Sequence, residues 1–449
     1  MCGILGVLGK NERRDIIYHA LRVLNSRGQE ATGVCFDGKC FKTFGTAQNL
    51  PEFEGYFDKC IGGTRYPTIG PREKKELERY SPPFFRKTNM GELYIAHNGN
   101  IIYPKLEKEE RNDGELIARL LADNLGDGLE QSIRKFMEVV DGAYSVVGLI
   151  GDKMFLFTDP HNIRPAFFGT LGDTFFVASE TEVLEQRIGV ENVVEVGGGS
   201  LVIFERSKEP EIIKIVEKDR KRCMFEYTYF MRQPSKWGGK EIYKIRLELG
   251  KLLGNKMAEE KQIRPDLVSP IPFTSIPAAI GCAESFGSPY REVLLKDRDS
   301  QRLFQKPEEK QRNMPAYSVV ESHVEGKNIV LVDDSIVRGT TLKTIIKALR
   351  KHNPSQIHVG SVTPPIKYPC MYGIDMSSRG ELVAHSYDEN EIAEIIGADS
   401  LTYLSVNDLE SIIGRDICTA CLDGRYPTKK AMEIFKNLQK MPESRRCYE

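Results

Sequence analysis

Residues 327–352 read KNIVLVDDSIVRGTTLKTIIKALRKH. After its first residue, the run 328–332 is wholly apolar, as a strand covered on both faces must be. Leu342, Ile345, Ile346 and Leu349 recur at i, i+3, i+4 and i+7, which sets them on one face of a helix. Between strand and helix stand Asp333 and Asp334, followed by Ser335, Arg338, Gly339, Thr340 and Thr341. The backbone N–H groups of such a turn form a concave anion site, reinforced by the positive end of the helix behind it. The hydroxyls add donors, and Gly339 allows close approach of the backbone. Ionised carboxylates only accept, so the acid pair suits sugar hydroxyls or a hydrated Mg²⁺. A phosphate and a diol side by side describe a ribose 5-phosphate. A capped helix start with exposed acids could use the same letters, but it would not need the whole strand–DDSIVRGTT–helix unit.

That unit closely resembles the phosphoribosyl pyrophosphate motif of type I phosphoribosyltransferases. The resemblance implies an α/β domain with a parallel sheet, the two acids on the ribose hydroxyls and the loop on the 5-phosphate. The surrounding chain follows the same grammar. DLVSPIP (266–272) and IHVGSVTPP (357–365) are short apolar runs alternating with helical stretches, a pattern that begins near Cys223. Residues 1–205 read differently. LYIAHN, AYSVVGLI, KMFLFTD, TFFVASE and SLVIFE are strand-like runs bounded by turn residues. Helical faces lie at 13–25 (Ile16, Ile17, Ala20, Leu21, Leu24) and at 113–125 (Leu116, Ile117, Leu120, Leu121, Leu125). Sheets with helices on their outer faces suit this half. The charged stretch 206–222 reads as a linker, giving domains at 1–222 and 223–449, and 428–441 reads as an amphipathic helix.

Composition narrows the class. The chain has 449 residues, 40% hydrophobic and 28% charged, with a formal net charge of −1. That balance makes no electrostatic case for binding nucleic acid or a membrane surface. No apolar run reaches the ~18 residues of a membrane span, and the N-terminus lacks the charged and apolar segments of a secretory signal. Ten cysteines spread over this length argue for reduced thiols in a cytoplasmic protein, some of them metal-bound.

The chain opens MCGILG. With Met1 trimmed, Cys2 would carry a thiol and a free α-amino group, whose pKa of roughly 7.7–8.0 suits a general base. Four further stretches fit glutamine hydrolysis: SRGQEATG with Arg27, Gly28 and Gln29; GTRYPTIG with Arg65; AHNGNI with His97, Asn98, Gly99 and Asn100; and NDGELIA with Asp113 and Glu115. Each has a plainer reading, a turn, a surface arginine or a helix cap. Together and in this order they resemble a class II glutamine amidotransferase, an N-terminal-nucleophile domain built as an αββα sandwich. The resemblance implies Cys2 as nucleophile, Asn98 and Gly99 as oxyanion hole, and Gly28, Arg65 and Asp113 around the substrate.

One family fuses the two halves in this order, the glutamine phosphoribosylpyrophosphate amidotransferases. The likeness runs nearly end to end and includes DPHNIRPAFFG, FEYTYFMR, IKYPCMYGIDM and CLDGRYPT. It implies the first committed step of purine synthesis. Cys2 would release ammonia from glutamine, and ammonia would displace pyrophosphate from phosphoribosyl pyrophosphate. It also implies Mg²⁺ held by Thr274, Asp333 and Asp334, a further phosphoribosyl pyrophosphate contact at Arg232, purine nucleotides as inhibitors, and a homotetramer. A CxxC at Cys418 and Cys421 by itself suggests zinc or a redox pair. With Cys223 and Cys370, its contexts resemble the branch of the family that carries a [4Fe–4S] cluster. Cys35, Cys40, Cys60, Cys282 and Cys447 match nothing and read as core or surface thiols.

The transferase half departs from the family pattern. PIPFTSIP places Phe273 where the pyrophosphate loop has an acid, though Thr274 keeps the hydroxyl. The next loop retains Lys296, Arg298, Arg302 and Phe304, but Ala316 stands where a pyrophosphate-binding lysine is expected. Arg232 is present without the usual Pro-Asp-Ser after it. These departures predict slow transfer. They also admit a paralogue that senses phosphoribosyl pyrophosphate or a purine nucleotide, or a glutaminase serving another acceptor.

Overall fold

The computed structural model describes residues 2–11, 14–51, 55–66, 80–107, 110–296 and 317–447. Among these, the strand runs of the first half form two antiparallel sheets. One holds β1 (Gly3–Asn11), β2 (Ala31–Phe36), β3 (Lys39–Phe44), β4 (Phe57–Arg65), β9 (Phe167–Leu171), β10 (Thr174–Ala178) and β11 (Val194–Glu195), in the order β11-β9-β10-β1-β4-β2-β3. The other holds β5 (Phe84–Thr88), β6 (Gly91–Tyr103), β7 (Asp141–Ile150), β8 (Lys153–Thr158), β12 (Ser200–Phe204) and β13 (Glu211–Lys214), in the order β13-β12-β8-β7-β6-β5.

Side-chain alternation along these strands supplies two apolar faces. Between the sheets, Ile4, Leu8 and Ile61 meet Val147, Leu149, Met154 and Leu156. On the outer face of the first sheet lies α1 (Arg14–Leu24), with Ile17, Ala20, Leu21 and Leu24 fully buried. Helices Asp113–Asn124 and Leu129–Val139 cover the second sheet, packing Leu116, Ile117, Leu121, Ile133 and Phe136 against Tyr144, Val146, Phe155 and Phe157. Each such side chain contributes about 1.5–3 kcal/mol on leaving water. The αββα sandwich expected from the resemblance is present.

The second half contains the expected parallel sheet, ordered Leu267–Pro270, Asn328–Asp333, Gln356–Ser361, Ser400–Tyr403. Ile329, Leu331, Ile357 and Val359 pack on one face against Leu342, Ile345, Ile346 and Leu349 of helix Thr340–Arg350. Val330 and Val332 face the other way, in the same core as Leu249 and Leu253 of helix Ile242–Glu260. The helix read at 428–441 spans Lys429–Leu438.

Two sequence readings are corrected. Residues 206–222 are not merely a linker, because β13 pairs with β12 and extends the second sheet despite its charge. Cys35 and Cys40 are not separate thiols. The β2–β3 register sets them directly opposite, side chains on one face, and they form a disulfide.

The halves interlock. Arg222–Cys223 pairs in parallel with Ile417–Cys418. Asn100 Nδ2 donates to Met371 O at 2.9 Å, and Arg164 Nε to Tyr372 O at 3.1 Å. The backbone N–H of Lys430 reaches Asp141 Oδ2 at 3.1 Å. Among the described residues, no helix is long and apolar enough to cross a membrane.

Candidate active site

Cys2 sits at the head of β1, where a pocket opens between the sheets. The Cys2 nitrogen donates to Asn98 Oδ1 at 3.2 Å, and its carbonyl accepts from Arg27 Nε at 3.1 Å. Asn98 comes from β6 and is fully buried, yet its Nδ2 has no hydrogen-bond partner among the described residues. A buried donor left unpaired costs about 1–3 kcal/mol, so it marks a place where a ligand oxygen would repay the deficit. Gly99 follows with φ +142°, and a Cβ there would lie 1.9 Å from Ala143 O. No other residue can occupy that position without moving β7.

The pocket is lined by Cys2, Arg65, Tyr66, Tyr80, His97, Gly99 and Asp113, among others. Arg65 ends β4, is buried, pairs with Glu30 Oε2 at 3.2 Å and lies 5.4 Å from the Tyr80 ring centre. Gly28 does not line the pocket. It lies under Arg65, whose carbonyl carbon is 2.5 Å from where a Gly28 Cβ would be. Asp113 begins its helix and accepts from the Ile101 N–H at 2.8 Å. Desolvation outweighs that bond and pushes its carboxyl up to about 6. His97 is driven the other way, down to about 4, by burial first and then by the charge of Arg65. A neutral imidazole with so low a pKa is a poor base at pH 7.

The second site lies at the carboxyl ends of the parallel strands, where ligands of such sheets bind. Asp333 ends its strand. Asp334 is buried, and its carboxylate accepts from Ser335 Oγ at 2.9 Å and from the Thr274 hydroxyl. Burial and the charge of Asp334 hold the Asp333 carboxyl well above its usual range. The Asp334 carboxyl is also raised, by burial, against the hydroxyl bonds and Arg246. Gly339 (φ +72°) caps the following helix, and Thr340 and Thr341 are exposed at its start. Arg338 is turned aside, its guanidinium paired with Glu381. Arg232 is paired with Glu182. Residues 298, 302, 304 and 316, singled out in the sequence, lie outside the described residues.

A buried network joins the two sites. Arg27 binds Glu180 Oε1 at 2.6 Å and Glu226 Oε1 at 2.7 Å. Glu226 also meets Arg164 at 3.4 Å, and Glu180 Oε2 accepts from the Arg232 N–H at 3.3 Å. Cys223, Cys370, Cys418 and Cys421 share one buried core. Burial pushes the Cys223 thiol up to about 11 and raises those of Cys418 and Cys421 further, with the neighbouring sulfurs adding to each. Burial opposes it, but Cys223, Glu226 and Cys370 hold the Arg164 guanidinium charged beside them. Among the described residues, no three His, Cys, Asp or Glu side chains converge on a single metal ion.

Residues 238–366 match the phosphoribosyl transferase domain model. The amidophosphoribosyltransferase of Methanothermobacter thermautotrophicus is 37% identical, with 96% of each chain covered. That of Bacillus subtilis is 35% identical over 95% of this chain and 94% of its own. The chain belongs to the amidophosphoribosyltransferase family. The solved B. subtilis glutamine phosphoribosylpyrophosphate amidotransferase, complexed with ADP and GMP, superposes with a TM-score of 0.83 at 32% identity, covering 96% of this chain and 98% of that one. A solved allosteric regulatory enzyme of purine biosynthesis gives 0.84 at 33% identity, covering 95% and 96%. As an amidophosphoribosyltransferase, the chain is a glutamine-dependent phosphoribosyltransferase, and the sensor reading is not favoured.

Sequence reasoning missed part of the pocket at Cys2. Tyr66, Tyr80 and Phe84 line it without any motif of their own. Gly373 reaches it from the transferase half, its Cβ position 3.2 Å from the Gly99 carbonyl carbon. IKYPCMYGIDM, quoted above for the family likeness, contains this glycine.

Proposed function

We propose that residues 1–222 hydrolyse glutamine and residues 223–449 transfer the ammonia to phosphoribosyl pyrophosphate. One observation carries the assignment: Cys2, bonded through its nitrogen to Asn98, shares a single pocket with Arg65 and Asp113. With Met1 removed, the α-amino group takes the Cys2 proton, and the thiolate attacks the glutamine side-chain amide. The Asn98 amide and the Gly99 N–H stabilise the oxyanion. Arg65 grips the α-carboxylate and Asp113 the α-ammonium. Ammonia leaves, and water hydrolyses the glutamyl thioester to glutamate. Ammonia then attacks C1 of phosphoribosyl pyrophosphate and gives 5-phosphoribosylamine and pyrophosphate. Its passage must be apolar and dry, because ammonium is no nucleophile.

In the second site, Asp333 and Asp334 hold the ribose hydroxyls. Ser335, Gly339, Thr340 and Thr341 hold the 5-phosphate. Arg338 and Arg232 join them only if they leave their present carboxylate partners. The oxygen-only donors Thr274, Asp333 and Asp334 fit Mg²⁺, which when bound would offset pyrophosphate charge. The four buried thiols beside the Arg164 cation fit a [4Fe–4S] cluster, tying the C-terminal segment to the core or sensing oxygen. Anaerobically purified protein should then hold about four irons and four sulfides per chain. One zinc without sulfide would replace the cluster with a Cys₄ site. The ADP and GMP of the B. subtilis relative support purine nucleotides as inhibitors here, and the family likeness adds a cytoplasmic homotetramer.

The test is pyrophosphate release with glutamine and with ammonia as nitrogen source. Both should drive it. Release with ammonia alone would remove the glutaminase half of the reading.

A further inference from the structure

The pyrophosphate loop carries a ring where the family pattern has an acid, and the ring has a partner. Phe273 is 56% exposed. Gln233 Nε2 donates to its carbonyl at 3.4 Å, and the adjoining Thr274 hydroxyl donates to Asp334. Lys296 Nζ lies over the Phe273 ring, 5.6 Å from its centre. Lys296 ends the strand Leu294–Lys296, which pairs with Tyr317–Val319 so that Lys296 stands opposite Tyr317. The residue after Phe273, Thr274, is bonded to Asp334, which ties the ring and the lysine over it to the acid pair. Among the described residues, Lys296 has no ion pair and no hydrogen bond.

We propose that Phe273 is a positioning residue that holds Lys296 over the leaving-group side of the transferase site, and that Lys296 supplies the positive charge that stabilises departing pyrophosphate. This rests on the ribose 5-phosphate reading of 333–341. A ring face attracts a cation through its quadrupole and leaves the charge in place. An acid at 273 would pair with the same lysine and cancel its field. During transfer, the ammonia lone pair forms the C1–N bond as the C1–O bond breaks. The bonding electrons leave with pyrophosphate, and the nitrogen gives one proton to water. Negative charge grows on the departing oxygen at that moment, where a fixed cation acts most strongly. Lys296 thus takes the part that Ala316 cannot play.

The experiment measures pyrophosphate release by the full chain at saturating ammonium chloride, with phosphoribosyl pyrophosphate binding followed by calorimetry. Lys296→Met should lower kcat on the order of 100-fold and leave binding within a few-fold of wild type. Phe273→Leu keeps the apolar bulk but loses the ring, and should lower kcat about 2- to 5-fold. In the Lys296→Met background it should cost nothing more. Equal losses with and without the lysine, or near-normal turnover by Lys296→Met, would overturn the proposal. Asp334→Ala separates the two levels. If it abolishes binding while Lys296→Met turns over normally, only the lysine role falls. If binding ignores Asp334→Ala, the site reading falls and takes the proposal with it.

Discussion

The glutamine pocket and the transferase site are held in different ways. Asn98 is 0% and Arg65 6% exposed, both on strands of the sandwich, whereas Phe273 is 56% exposed on a loop and Arg338, Thr340 and Thr341 are exposed as well. A buried site must keep its polar groups nearly matched, since each unpaired one is costly. Its residue types are therefore tightly fixed by the fold. A loop site has water as an alternative partner, so its residues can change without unfolding the domain. That contrast accounts for an intact glutamine motif set beside an altered pyrophosphate loop.

The largest effect should come from breaking what the two regions share. Glu226 is fully buried and faces Arg27 and Arg164. Glu226→Ala leaves Arg27 with Glu180 alone and Arg164 without its carboxylate, and should destabilise the protein by about 3–5 kcal/mol, read as a drop in the urea midpoint. Both activities should fall with it. Next, Asn98→Ala should lower glutaminase kcat by about 10²–10³-fold and leave ammonia-driven pyrophosphate release near wild type. Equal loss in both assays would erase the division between the sites.

Acidity should separate them more gently. The Asp113 carboxyl sits at about 6 and must be ionised to hold an ammonium. As pH falls through that value it takes up a proton, so KM for glutamine should rise, approaching about tenfold per pH unit below it. Glutamate release measured from pH 5 to 8 would show the rise, and Asp113→Asn should flatten it. The smallest effect belongs to the frame. Ser405 Oγ accepts from the Asp408 N–H at 3.1 Å and caps helix Val406–Ile413. Ser405→Ala should cost about 1 kcal/mol of stability and change neither activity.

Much of this was legible in the sequence because local signals agreed with the fold. The periodic faces of 113–125 and 342–349 became helices packed on their sheets. DDSIVRGTT fell between strand and helix. What stayed hidden depended on contacts between distant segments. Nothing in GKC announces the Cys35–Cys40 pair, which follows from register. The charge of 206–222 concealed β13, since an edge strand tolerates polar side chains on its open face. The partners of Arg338 and Arg232 lie 43 and 50 residues away, at Glu381 and Glu182. Gly373 enters the glutamine pocket from the other half of the chain.

In the proposed reaction, Cys2 makes the ammonia that the second half consumes. Cys2→Ala, assayed for pyrophosphate release with glutamine and with ammonium chloride, tests it most directly. No glutamine-driven release above background is expected, and ammonia-driven release should stay within about twofold of wild type, because Cys2 lies outside the transferase site. Glutamine-driven release that survives in Cys2→Ala would contradict it.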